Sequence, residues 1–218
     1  SLIIFGQGAI RSHPYVLKEM LAASEPDTAR AVRDLDSAFF GHLAFVASNK
    51  ARAFWMGLTA ARFSSARGDR HTRRYYQQIT RLSAAFAWTA DVAMFLLGGA
   101  LKRRERLSAR LGDILSNLYL VSAALKRYED AGRPADDLPF LHWAIQDALA
   151  RTEDAFYGLF ANLPNRFVAW GLRGVIFPFV YPYGREFEPP RDRLGHQVVG
   201  LLLAPGPARG RLAPGVYI

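Results

Sequence analysis

Between Leu107 and Tyr128 the chain repeats an apolar residue at alternating steps of four and three: Leu107, Leu111, Ile114, Leu118, Val121, Leu125 and Tyr128. Steps averaging about 3.5 residues keep one stripe on one side of an α-helix. A half-buried strand would need alternation at two, and this run has none. Such a stripe has to be covered by another helix, so the run predicts a long helix inside a bundle. It carries no information about chemistry.

The same spacing recurs. Leu35, Phe39, His42, Val46, Asn49, Ala53 and Met56 form a second seam, weakened by its polar members, on a helix predicted over 28–66 with an interruption near Gly57. Tyr75, Ile79, Leu82, Phe86, Thr89, Ala93 and Leu96 form a third, closed by Gly98-Gly99. Leu141, Ile145, Ala148, Phe156 and Leu159 share one side of a helix predicted over 136–163. Shorter helices are predicted over 12–23 and 191–203, the first with Pro14 in its first turn, where a missing N–H costs little. Short connections between long amphipathic helices place them antiparallel. The predicted fold is all-α: an antiparallel helical bundle with a Pro- and aromatic-rich segment at 165–184 and, beyond Pro205, an extended arm of Gly, Pro and Arg.

The chain of 218 residues is 50% apolar, enough for a sizeable core. It has no cysteine, which excludes a disulfide framework, a thiolate zinc site and a cysteine nucleophile. The formal net charge is +9, from 28 Lys plus Arg against 19 Asp plus Glu, and most of the basic residues are Arg. Arg forks suit phosphate and carboxylate groups, so the balance admits nucleic acid, an anionic membrane face or a phosphorylated ligand. Arg decorating solvated helix faces accounts for the same composition. The apolar start, Ser1 to Phe5, lacks the basic residues of a signal peptide. Both ends read as cut, the second on Gly215-Val216-Tyr217-Ile218, and the chain is expected to be a piece of a longer protein.

Two surfaces are candidate docking sites. Lys102, Arg103, Arg104, Arg106 and Arg110 cluster at a predicted helix start, where positive side chains oppose the helix dipole. An anionic partner or acidic surface would compensate them; so would solvent and ion pairs with Glu105 and Asp113. Arg166, Trp170, Arg173, Phe177, Phe179 and Tyr181 mix bases with aromatics in a segment too short and too interrupted by Pro178 and Pro182 to span a bilayer. That mixture suits a membrane headgroup boundary, or the plugged end of a bundle.

Other groups read as structural. Gly6-Gln7-Gly8 begins like a dinucleotide loop, but Arg11 stands where a third small residue belongs and no βαβ unit surrounds it. Arg70, Arg73, Arg74 and Arg81 with Tyr75 and Tyr76 resemble a nucleic-acid mixture without any accompanying motif, and no nucleic-acid partner is expected. His13, His42, His71, His142 and His196 never fall four apart, so a metal site would need distant helices, and none is expected. Glu153-Asp154 and Asp136-Asp137 read as dipole or solubility charges.

Four stretches are similar to the C-terminal region of bacterial long-chain acyl-coenzyme A dehydrogenases of fatty-acid β-oxidation. They are SLIIFGQGAIRSHPYVLKEM at 1–20, RYYQQITRLSAAFA at 74–87, GGALKRRERLSARLGDILSNLYLVSAALKRYEDAGR at 98–133, and LPFLHWAIQDAL with NLPNR further on. The resemblance implies a parent flavoprotein with FAD. In it a glutamate removes the α-proton of a fatty acyl thioester, the β-hydride passes to the flavin, and a trans-2-enoyl thioester forms. It places that glutamate just before the SLIIFGQGAIR-like run, so no catalytic residue is assigned here and the chain alone is expected to be inactive. It divides the chain into the last helix of the catalytic helical domain (1–23), a helical C-terminal extension (24–204) and a truncated arm (205–218). It also implies as partners the enzyme's own catalytic domain, further copies in a homo-oligomer, and an electron-acceptor flavoprotein. The expected location is the cytoplasm, with attachment to the cytoplasmic face of the inner membrane, through an anionic lipid surface, as an open alternative. A non-enzymatic docking module for membrane or subunit is the other reading.

Overall fold

The structure, a computed structural model, describes residues 13–180, 184–204 and 206–212, and among them there are helices and no strands. Helix α1 (Val16–Ala23) leads by a short turn into α2 (Thr28–Leu58). Asp27 starts α2 by accepting hydrogen bonds from the amides of Ala29 and Arg30, at 2.9 and 3.3 Å. The predicted interruption near Gly57 is where α2 stops. Ala60 and Ala61 take left-handed φ values of 46° and 57°, so the turn to residue 66 is not helical. Gly57 itself is required by a close crossing, since a Cβ there would sit 2.4 Å from the carbonyl oxygen of Val175.

Helix α3 (Arg73–Leu97) ends at Gly98, with φ 49°, and passes through a 3₁₀ turn, Gly98–Lys102, into α4 (Glu105–Asp130). A second 3₁₀ turn, Ala135–Asp137, leads into α5 (Leu138–Asn162). Asn165 caps α6 (Arg166–Ile176) through the amides of Phe167 and Val168. Helices α7 (Asp192–Leu203) and α8 (Pro207–Leu212) follow. The arm expected to be extended beyond Pro205 therefore holds a helical turn. Arg211 anchors it by an ion pair of 2.7 Å to Asp137, and the arm's residues 205 and 213–218 lie outside the described residues.

The pairs α2–α3 and α4–α5 run antiparallel, as short connections favour. Arg110, early in α4, lies against Gly158 late in α5, while Tyr128 and Leu141 share a groove at the other end. Likewise Arg74 reaches the carbonyl of Ala60, and His42 approaches Asp91, along α2 and α3. All seven residues of the opening seam are buried on α4, against Leu141, Ile145, Phe156 and Leu159 of α5. Of the third seam, Leu82, Thr89 and Ala93 are buried and Tyr75, Ile79, Phe86 and Leu96 are half-buried. The second seam is covered in its C-terminal half only: Asn49 and Ala53 are buried, but Leu35 and Phe39 are 40% and 54% exposed, because nothing described lies over that side of α2.

The segment Arg73–Lys102 is long and apolar enough to cross a membrane by length and composition. Here it is a bundle helix with its 3₁₀ extension, and 39% of its most apolar stretch is buried. It packs against α2 and α4, buries Leu82, Ala84, Ala85, Trp88 and Ala93, and carries a buried Arg81 and a buried Asp91.

Candidate functional site

The basic cluster divides in two. Lys102, Arg103, Arg104 and Arg106 are exposed around the 3₁₀ turn and the first turn of α4, where Glu105 is the acidic residue. They form no ion pair among the described residues. Arg110 leaves this group: it is half-buried, with its Nε against the backbone of Gly158, and works as packing between α4 and α5.

The aromatic surface also divides. Helix α6 buries Ala169, Leu172 and Ile176 and turns Phe167 and Trp170 outward, 82% and 55% exposed, with their rings edge to face at 6.2 Å. Arg166 is exposed and donates to the carbonyl of Ala161 at 2.9 Å, and Phe179 is exposed too. Phe177, expected at this surface, is fully buried instead, edge to face with Phe156 and Tyr157. Its aromatic area is worth more inside the core than at a boundary. Arg173 is half-buried and stacks over the Tyr157 ring at 4.4 Å. Burial, and next the Glu153 carboxylate, hold the Tyr157 hydroxyl above its ordinary range, so it stays protonated. It donates to the carbonyl of Gly184 at 3.0 Å. Tyr181 and the Gly6–Gly8 loop lie outside the described residues.

The buried charges are structural, and two depart from the sequence reading. Arg81 is 1% exposed: it makes a two-pronged ion pair with Glu186 and donates to the carbonyl of Ile176 at 2.5 Å. It faces no solvent, and Arg74 is tied to the carbonyl of Ala60 at 2.6 Å, so these two are withdrawn from the Arg and Tyr mixture at 70–81, while Arg70 and Arg73 remain exposed. Glu153, read as a solubility charge, is completely buried and accepts the amides of Glu186 and Phe187, at 2.9 and 2.7 Å. These two side chains tie the segment 184–188 back onto α3 and α5. A signal for both was present: Gln77, Arg81, Ala84 and Trp88 are spaced as a stripe, as are Leu149, Glu153, Phe156 and Phe160. Those positions belong to the inside whatever residue holds them.

A third polar cluster was not foreseen. His13, just before α1, His42 of α2 and Asp91 of α3 each bring one ligating atom within 4.8 Å of the others. The hydrogen bonds decide what these atoms offer. His13 Nδ1 faces the amides of Tyr15 and Val16, at 3.2 and 3.1 Å, which can only donate; Nδ1 therefore accepts. The proton of the neutral ring is then on Nε2, which donates to Asp91 Oδ1 at 3.0 Å. Burial outweighs the Asp91 charge and holds the His13 pKa below its ordinary value, in keeping with a neutral ring. His42 Nδ1 donates to Glu19 at 2.8 Å, and its Nε2 lies 3.9 Å from Asp91. Burial holds the Asp91 carboxyl above its ordinary range. With His13 Nε2 occupied by a proton, the set supplies one imidazole lone pair and one carboxylate, fewer than the three or four protein ligands of a zinc site. The cluster ties the entry of α1 to α2 and α3.

Among the described residues the chain is an all-helical bundle with an exposed basic patch, an exposed aromatic patch and internally paired buried charges. The chain matches the family described as acyl-CoA dehydrogenase, C-terminal, bacterial type, over residues 10–218. It belongs to that family and is part of an acyl-CoA dehydrogenase, an oxidoreductase. No solved structure matches it.

That family generally uses FAD, and the described residues do not fit it. Four cavities among the described residues measure between 320 and 410 Å³. They are surface grooves at the small end of the range for ligand sites. The buried ionisable groups Arg81, Glu153, Asp91 and Asp137 each bond to protein. No step through the flavin is assigned to these residues.

Proposed function

We propose that this chain is the helical C-terminal domain of a flavin-dependent enzyme that oxidises long-chain fatty acyl-CoA to trans-2-enoyl-CoA in β-oxidation. The observation that carries it is the family match over 10–218, joined to a described interior whose charges are all engaged in packing. FAD, the catalytic glutamate and the thioester contacts belong to the catalytic domain; this domain attaches to it, and an electron-acceptor flavoprotein reoxidises the flavin. Residues 1–23 end the catalytic helical domain, 24–204 form the extension, and 205–218 its arm. The purified chain, supplied with FAD and an artificial electron acceptor, is expected to give no turnover of palmitoyl-CoA. Turnover would place a catalytic base within these residues and overturn the assignment.

A second reading concerns where the parent enzyme sits. The exposed set Arg166, Phe167, Trp170 and Phe179 supports peripheral attachment of a cytoplasmic enzyme to an anionic membrane face. Aromatic rings and arginines combine favourably at the headgroup boundary. The chain is expected to cosediment with anionic vesicles, less at high salt. Trp170→Ala should weaken binding about tenfold, near 1.4 kcal/mol. Equal binding to neutral vesicles, or none to either kind, removes this reading.

A further inference from the structure

Helix α2 is apolar on two opposite sides. Its inner side buries Ala38, Asn49, Ala53 and Gly57 against the bundle. Its outer side carries Val32, Phe40, Leu43, Phe54 and Leu58, all between 43% and 64% exposed, with Ala47 among them. At 1.5 Å per residue this row runs for about 40 Å. Isolated exposed apolar side chains need no explanation, but a continuous row does. A helix apolar all round is built to be covered on both sides.

What covers the row is written in its two charges. Asp36, Phe40, Leu43, Ala47, Lys50 and Phe54 step by four and three, so Asp36 and Lys50 stand in the row itself. Both are exposed, and neither makes an ion pair among the described residues. They lie at equal distances before and after Leu43.

We propose that the outer face of α2 pairs with the same face of a second copy of this chain, antiparallel, about a two-fold axis at Leu43. That axis sets Leu43 on the partner's Leu43 and Asp36 opposite the partner's Lys50, twice over. Val32 then meets the partner's Phe54, and the bulky Phe40 falls beside the small Ala47 of the partner subunit. A two-fold interface has to be self-complementary in this way. A surface of a different protein would impose no symmetry about Leu43. The exposed ion pairs add little affinity. Their effect is to select the antiparallel register, as polar residues at seam positions do in coiled coils. The pairing rests on α2 alone, so its failure would leave the parent-enzyme assignment standing.

The test is the mass of the full chain in solution, by sedimentation equilibrium at micromolar concentrations. The native chain is expected to be a dimer. Leu43→Arg should leave a monomer with an unchanged far-ultraviolet circular dichroism spectrum and unfolding temperature. Asp36→Lys and Lys50→Asp should each raise the dissociation constant about tenfold or more, since each places two like-charge pairs in the interface. The double variant Asp36→Lys with Lys50→Asp should return to near the native value. A monomeric native chain, or a dimer indifferent to Leu43→Arg, overturns the proposal. So does a double variant that stays weak, which would assign the row to an unlike surface such as the catalytic domain.

Discussion

Replacing Arg81 by alanine is expected to lower the unfolding free energy by about 3–5 kcal/mol, the usual cost of leaving one member of a buried ion pair alone. The guanidinium is 1% exposed and holds both carboxylate oxygens of Glu186 and the carbonyl of Ile176. Its removal strands all three acceptors at the junction of α3, α6 and the segment 184–188. The Glu186 side chain retains 16% exposure, so water recovers part of the loss and the lower end of the range is the better expectation. For a chain of this size each kcal/mol moves the unfolding midpoint by about 2–4 °C, so a drop of roughly 6–20 °C should be seen by calorimetry. Arg81→Met keeps most of the volume but still strands Glu186, and should recover only the packing part. A midpoint within about 2 °C of the native chain would show that the pair contributes almost nothing net to stability.

Replacing Phe156 by alanine is expected to cost a similar amount, about 3–5 kcal/mol, by a different route. Its ring is fully buried, edge to face with Phe177 at 5.8 Å and next to Phe160 at the same distance. The alanine leaves a cavity where α5 meets α6, and close-packed neighbours refill such space only in part. Phe167→Ala on the exposed side of α6 is the control and should stay within about 0.5 kcal/mol. Denaturant unfolding of the pair separates the two sites. A loss below about 1 kcal/mol for Phe156→Ala would mean that the core around Phe177 is loosely filled. The two large effects should not add. Arg81 lies over the Phe177 ring at 5.8 Å, and Phe156 packs on the same ring, so the double variant should lose less than the sum.

Much of the architecture was legible in the sequence because helix burial is periodic. The seams on α3, α4 and α5 depend on local spacing and on nothing distant. The same periodicity held the signal for Arg81 and Glu153, at stripe positions usually filled by apolar residues. Composition hides that signal, because a charged residue is read as solvated until a partner for it is known. Phe177 was misplaced for the converse reason. An aromatic in a Pro-rich segment suits a boundary and a core equally well, and only the crossing of α5 and α6 chooses between them. The helical turn at Pro207–Leu212 depends likewise on Arg211 finding Asp137, 74 residues away in the chain.

The amino-acid sequence by itself determined the all-α class, the antiparallel order that short turns impose, and the family, because each is carried by residues near one another in the chain. The tertiary structure alone decided which charges are inside, that His13, His42 and Asp91 meet, and which side of α2 the other described residues leave uncovered. Those outcomes depend on contacts between residues far apart in sequence. Their energies come from desolvation and hydrogen-bond geometry, which exist only once the helices have docked.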